Sequence, residues 1–276
     1  MTSPSTELHP GAGSNTPNAA PLAELRGVCR RFGEHEVVSN IDLIVRAGEV
    51  VGLLGPNGAG KTTTVRMLCG VLPPTAGELF IAGRDVVREP LEARRAIGYV
   101  PDGAPLYPNL SPRQHLLLVG RLHGLDERRL SAEADRLLGH LDLAGRRDDP
   151  VGQFSRGMRQ KTALACALLH RPRLLILDEP LSGLDAPTAA MFKEVLRAWA
   201  DRGGAVLYTS HLLDVVERVC DRMAIMTRGR FVGVGTLDEL RARAGQEGTL
   251  EQVFGALART ENPAALARAL LGDPRA

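Results

Sequence analysis

Short apolar runs and helical-period stretches alternate along the chain. Glu49–Gly55 reads EVVGLLG and Arg173–Pro180 reads RLLILDEP. Apolar runs this short, without polar alternation, predict strands buried on both faces. Val37–Arg46 alternates in strand fashion, and Gly77–Gly83 and Ala205–Ser210 predict further short strands. Apolar residues recur at helical spacing over Thr62–Leu72, which stops at Pro73-Pro74. The same period marks Ser111 to about Leu143, Met158–Leu169, Ala189–Ala200 and Leu212–Val219. Ser111-Pro-Arg-Gln114 has the form of a capping box with proline at the first helical position. Ala224–Met226 and Phe231–Val234 predict a strand pair closed by a turn at Gly229. The chain turns helical again after Thr236. Leu250, Val253, Phe254 and Leu257 form one apolar face there, with Thr249 and Gln252 at capping-box spacing. Asn262-Pro263 opens a last short helix. Strands alternating with helices imply an α/β fold built on a mostly parallel, three-layer sheet.

Residues 1–22 are rich in Ser, Thr, Pro, Gly, Asn and Ala and predict a disordered tail, with structure starting near Leu25. The formal charge of +2 leaves no strong basic field for nucleic acid or anionic lipid. No apolar run approaches the roughly 18 residues of a membrane helix, and the first residues lack a secretory pattern. If the protein works at a membrane, a partner must dock it there. Cys29, Cys69, Cys166 and Cys220 form no CxxC pair, which points to reduced thiols in a cytosolic protein rather than a metal or redox motif.

Between the first buried strand and its helix lies Gly55-Pro56-Asn57-Gly58-Ala59-Gly60-Lys61-Thr62, followed by Thr63. It fits G-x-x-x-x-G-K-[ST] at every fixed position. Glycines let successive backbone N–H groups wrap phosphate oxygens, and the helix that follows presents its positive end to them. Lys61 is one of only three lysines, against 31 arginines, so its place in the motif carries weight. It would reach the β and γ oxygens, and the Thr62 hydroxyl would ligate Mg²⁺.

The second buried run ends in Asp178-Glu179. Beside a phosphate loop, Asp178 would stand near the metal, bound through water, and Glu179 would polarise a water attacking the γ-phosphate. Two acids that merely end a strand are the plainer reading, and the upstream loop weighs against it. His211 follows the strand Ala205–Ser210, at the sheet edge where ligands bind. From position alone it is either a γ-phosphate sensor or an ordinary surface or capping histidine.

In this order, these pieces resemble the ATP-binding subunit of ABC transporters, from about Leu25 to Leu240. Phe154–Lys161, FSRGMRQK, is similar to the family's signature LSGGQ, keeping Ser155 and Gly157 but carrying Arg156 and Met158. The variant is similar to those of export-type subunits. The resemblance implies a P-loop NTPase fold with a small antiparallel β subdomain and an inserted helical subdomain at about 103–160. It divides the chain into a tail (1–22), an ATP-binding domain (23–240) and a C-terminal helical tail (241–276). It implies that Ser155 and Gly157 face the γ-phosphate held by a second subunit, so that two chains sandwich two ATP molecules. It further implies that Phe32 stacks on adenine, that Ser182–Asp185 links the two sites, and that His211 is the switch histidine. The family's glutamine in the loop after IGYVP is replaced by Asp102, which either offers an oxygen to Mg²⁺ or is a turn aspartate with no metal role. Gly103 to about His123 would grip a cytoplasmic helix of a separate membrane permease, from the inner face of the membrane, or is an ordinary proline-rich turn before a capped helix. The closing TLEQVFGAL resembles a C-terminal helix of export-type subunits, or simply packs on the core.

Two other functions compete with an exporter ATPase. A soluble ABC-type ATPase acting on nucleic acid or ribosomes usually carries two nucleotide domains or an inserted coiled coil, and this chain has one phosphate loop and no heptad run. A nucleotide-binding regulator with little hydrolysis would not need Glu179.

Overall fold

The computed structural model describes residues 21–258. The expected tail over 1–20 and the helix at Asn262-Pro263 lie outside them. Two strands open the chain, β1 (Pro21–Phe32) and β2 (His35–Arg46), paired antiparallel. β1 starts four residues before the expected Leu25, taking in the last two residues of the expected tail. Leu22, Ala23 and Leu25 are buried there, so these side chains supply the energy to order the strand. β4 (Ala76–Ile81) and β5 (Arg84–Asp85) complete a four-stranded antiparallel sheet in the order β2-β1-β4-β5.

The main sheet contains β3 (Val50–Leu54), β6 (Ile97–Val100), β7 (Leu174–Asp178), β8 (Ala205–Thr209), β9 (Arg222–Thr227) and β10 (Arg230–Gly235), in the order β10-β9-β3-β8-β7-β6. All neighbours are parallel except β9 and β10. Every residue of β3, β7 and β8 is buried, as their unbroken apolar sequences require. β9 and β10 turn through Arg228 and Gly229, both at positive φ, the geometry a two-residue hairpin demands.

Helices α1 (Lys61–Leu68), α6 (Ala186–Asp201) and α7 (Leu213–Val219) flank the main sheet, and α2 (Pro90–Arg95) precedes β6. α1 ends four residues before the expected Leu72, at Cys69 and the left-handed Gly70. Between β6 and β7 the chain leaves the sheet for α3 (Pro112–Leu122), α4 (Glu127–His140) and α5 (Arg156–Leu168). The single helical stretch expected from Ser111 to Leu143 is therefore two helices, parted at Gly124 (φ 72°) and restarted by the Asp126 cap. The Ser111–Gln114 capping box is present in full. Two helices close the described chain, α8 (Leu237–Ala244) behind a Thr236–Glu239 capping box and α9 (Leu250–Ala258). Leu240, Leu250 and Val253 are buried in the same core cluster as the main sheet's inner face. The core thus runs past residue 240 into the C-terminal helices.

Candidate nucleotide site

The phosphate loop joins β3 to α1, and its shape is set by what lies behind it. A Cβ on Gly55 would stand 2.3 Å from the Met226 carbonyl, and one on Gly60 would stand 2.9 Å from the Val37 carbonyl. Gly60 also sits at φ 108°, which an L side chain rarely adopts. The loop is pinned from outside: Gly229 in the hairpin turn donates to the Ala59 carbonyl at 2.9 Å. At Gly58 the situation reverses. A Cβ there would meet nothing within 4 Å, so the loop's outer side is open, and Pro56, Asn57 and Gly58 are exposed.

Lys61 opens α1 and is buried, its ammonium donating to the carbonyls of Gly55 (2.6 Å) and Pro56 (3.2 Å). Burial pushes its pKa down, and the charges of Glu179 and Asp178 oppose that shift. The Lys61 ammonium and the two acids therefore share one electrostatic neighbourhood. α1 has Gly60 at its N-cap and no side-chain cap, leaving its first N–H groups to a ligand. Thr64 is tied back to the Gly60 carbonyl at 3.0 Å, whereas Thr62 is exposed and Thr63 half-buried at the helix mouth.

β7 ends beside β8, with Asp178 level with Thr209. The Thr209 hydroxyl donates to the buried Asp178 carboxylate and accepts from the Glu179 N–H at 3.0 Å. Sequence reasoning missed Thr209: its role depends on strand register, although its place two residues before His211 was visible. Glu179 itself is at φ 49°, a left-handed conformation that costs a non-glycine residue about 1–2 kcal/mol. The Thr209 contacts hold it there. Its carboxylate is mostly buried and lies 2.8 Å from His211 Nδ1. Desolvation raises the Glu179 pKa, and His211 pulls the other way. The structure thus brings Lys61, Asp178, Glu179 and His211 together at the C-terminal edge of the parallel strands.

A second group of expected residues gathers at the start of α5. Ser155 caps this helix, accepting from Met158 N at 3.2 Å. Gly157 faces the next loop, where a Cβ would stand 3.6 Å from Asp185 Oδ2. Asp185 caps α6 through Thr188 N, and that N–H holds the Asp185 carboxyl below its ordinary range. Asp102 pairs with Arg156 at 3.8 Å. The two groups meet through the backbone, Ser182 N donating to the Glu179 carbonyl at 3.2 Å. Phe32, at the end of β1, is half exposed, with the Arg30 guanidinium 4.5 Å over one face.

The chain's residues 38–182 match the family model described as ABC transporter. The daunorubicin resistance ATP-binding protein DrrA3 of Streptomyces coeruleorubidus is 42% identical over 79% of this chain and 69% of its own. The chain belongs to the ABC transporter family. The linearmycin resistance ATP-binding protein LnrL of Bacillus subtilis is 34% identical, over 81% of this chain and 72% of that one. The Nod factor export ATP-binding protein I of Burkholderia lata is 40% identical, over 78% and 71%. Among solved structures, an ATP-binding subunit of an ABC transporter superposes with a TM-score of 0.80 at 33% identity, covering 86% of this chain and 99% of its own. cbiO1 of Clostridium perfringens, part of the ABC transporter complex cbiONQ, gives 0.70 at 25% identity, covering 80% and 91%. This ABC subunit is a P-loop NTPase that binds and hydrolyses ATP to power transport. Among its described residues no helix is long and apolar enough to cross a membrane.

Proposed function

We propose that this ABC subunit drives export through a separate membrane permease, by closing with a second copy or a close relative around two ATP molecules. The observation that carries the reading is the Glu179–His211 contact at the strand edge beside the open Lys61 loop, while the Ser155 helix end stands at a second, outward corner. One chain would supply Lys61 and the phosphate loop, from Gly55 to Thr63. The other would supply Ser155 and Gly157, with Asp185 linking the two sites and Phe32 stacking on adenine.

The residues present fit a magnesium ion bound with the triphosphate. Thr62 and Asp178 offer hard oxygen donors at the loop mouth and strand end, and the open side of Gly58 leaves room for the phosphates. That ion would supply charge neutralisation at the β and γ oxygens. Asp102 lies 3.8 Å from Arg156, with most of its side chain exposed. Glu179, with its pKa raised and His211 against it, would accept the proton of the attacking water. His211 would report the loss of the γ-phosphate to α7, which begins two residues later.

The permease would dock in the groove between α1, β6 and α3, lined by Val71, Arg94, Tyr99, Val119 and His123. Val71 in its wall is exposed. Export rather than import is favoured by the relatives, whose names specify resistance and Nod factor export. The test is copurification from detergent-solubilised membranes together with ATPase assay. The reading expects a membrane protein as companion and hydrolysis that Glu179→Gln abolishes. RNA or DNA as companion, or hydrolysis surviving Glu179→Gln, would overturn it.

A further inference from the structure

The helix end at Ser155 carries a charge that helix electrostatics disfavours. Arg156 is the first residue of α5, where the helix's own partial charge is positive, and the first turn contains no acid. Arg159 adds a second cation in that turn, although it is occupied by the Phe154 carbonyl. What balances Arg156 comes from elsewhere in the chain. Its Nη2 lies 3.8 Å from Asp102 Oδ1, and both side chains remain over 40% exposed. Asp102 sits on a tight turn whose next two residues, Gly103 and Ala104, are at positive φ. The same arginine also lies against Gly183, itself at φ 67°, where a Cβ would stand 3.3 Å from Arg156 Cδ and Nη1. One guanidinium thus joins three segments: the turn at Asp102, the Ser155 helix end and the loop leading to Asp185.

We propose that Arg156 and Asp102 form a charge latch that holds the Ser155 helix end in the nucleotide-free chain and must open when two chains close on ATP. The proposal rests on the two-chain reading above and adds a control to it. An exposed pair at this distance changes an equilibrium by about five-fold at most, so it is weak enough for a ligand to displace. A triphosphate arriving opposite Ser155 attracts Arg156 and repels Asp102, so the anion that completes the site also opens the pair. Two of the departures from the family pattern, aspartate for glutamine and arginine for glycine, become one device. Arg156 and Asp102 act as positioning residues that set the ATP concentration at which chains pair, and make that concentration depend on salt.

The test uses the full chain carrying Glu179→Gln, with Asp102→Asn, Arg156→Gln and the two combined. Dimerisation is followed by sedimentation against ATP concentration in magnesium at low salt. Asp102→Asn is expected to lower the half-dimerising ATP concentration about two- to five-fold, and to lose that effect at about 1 M salt and when Arg156→Gln is also present. A second arm needs no nucleotide. Amide hydrogen exchange over residues 155–158 and 182–185 is expected to rise with either single substitution and no further with both. Equal shifts from Asp102→Asn in both backgrounds, a raised ATP requirement, or unchanged exchange would overturn the latch. Failure of the Glu179→Gln chain to pair at any ATP concentration would overturn the two-chain reading and the latch with it.

Discussion

The phosphate loop and the Ser155 corner are both helix starts beside glycine, yet they are built in opposite ways. The loop is backed by buried strands, pinned by Gly229, crowded at Gly60 by the Val37 carbonyl, and leaves α1 without a side-chain cap. The Ser155 corner is exposed and capped by its own serine, and its one ion pair to the Asp102 turn is loose. The first is a site finished within one chain and open only towards ligand. The second has its local needs met and still directs a serine and an arginine outward. That difference fits the proposed site divided between two copies.

Glu179→Gln breaks the comparison on its catalytic side. Loss of the proposed base is expected to lower turnover by about 10²–10⁴-fold in a steady-state ATPase assay. Because burial raises the Glu179 pKa, the charged carboxylate is disfavoured in the fold at neutral pH. The variant should therefore unfold at an equal or higher temperature. The same shift should place the acid limb of the wild-type rate profile above the pH of an ordinary glutamate, since the base must be deprotonated to act.

Next in size is a pair of glycine substitutions. Gly60→Ala would force a Cβ to 2.9 Å from the Val37 carbonyl at φ 108°, at an expected cost of about 1–3 kcal/mol. Gly157→Ala meets nothing closer than 3.6 Å within a helix, and should gain about 0.5–1 kcal/mol from propensity. Thermal unfolding separates them. If Gly157→Ala stabilises the chain and still weakens ATP-driven pairing, the Ser155 corner serves a second chain rather than its own fold. Ser155→Ala should remove the cap for about 1 kcal/mol of stability, a smaller loss than Gly60→Ala.

The smallest effect lies away from both corners. His123 and His170 stack at 3.8 Å in the α3–β6 groove, and burial, with the neighbouring imidazole, brings the His170 pKa down to about 4. A histidine whose pKa is lowered on folding contributes stability above its unfolded value near 6.5, and loses it as pH falls towards 4. The melting temperature should fall over that window, and His170→Gln should flatten the fall.

The contrast also explains what was legible in the sequence. Gly55–Thr62 and Asp178-Glu179 were visible because each is local: spacing and an unbroken apolar run define them. The Ser111 box was visible as a cap for the same reason, whereas Ser155 and Asp185 entered through the family resemblance and prove to cap α5 and α6. β6 was not assigned as a strand, because four residues ending at Pro101 carry no period. β1 was not assigned as a strand either, its first residues being hidden in tail-like composition. Thr209 needed the register of β7 against β8, and the Arg156–Asp102 pair needed the fold of the helical insert. Contacts that close over long sequence separations leave no local trace, and the weakest-held corner depends on them most.

The most direct measurement is analytical ultracentrifugation of the Glu179→Gln chain with and without magnesium-ATP. The account predicts slow sedimentation as a single chain without nucleotide and conversion to a dimer with it, a conversion that Ser155→Arg prevents. A chain that stays single in saturating ATP, or pairs equally well with Ser155→Arg, would contradict it.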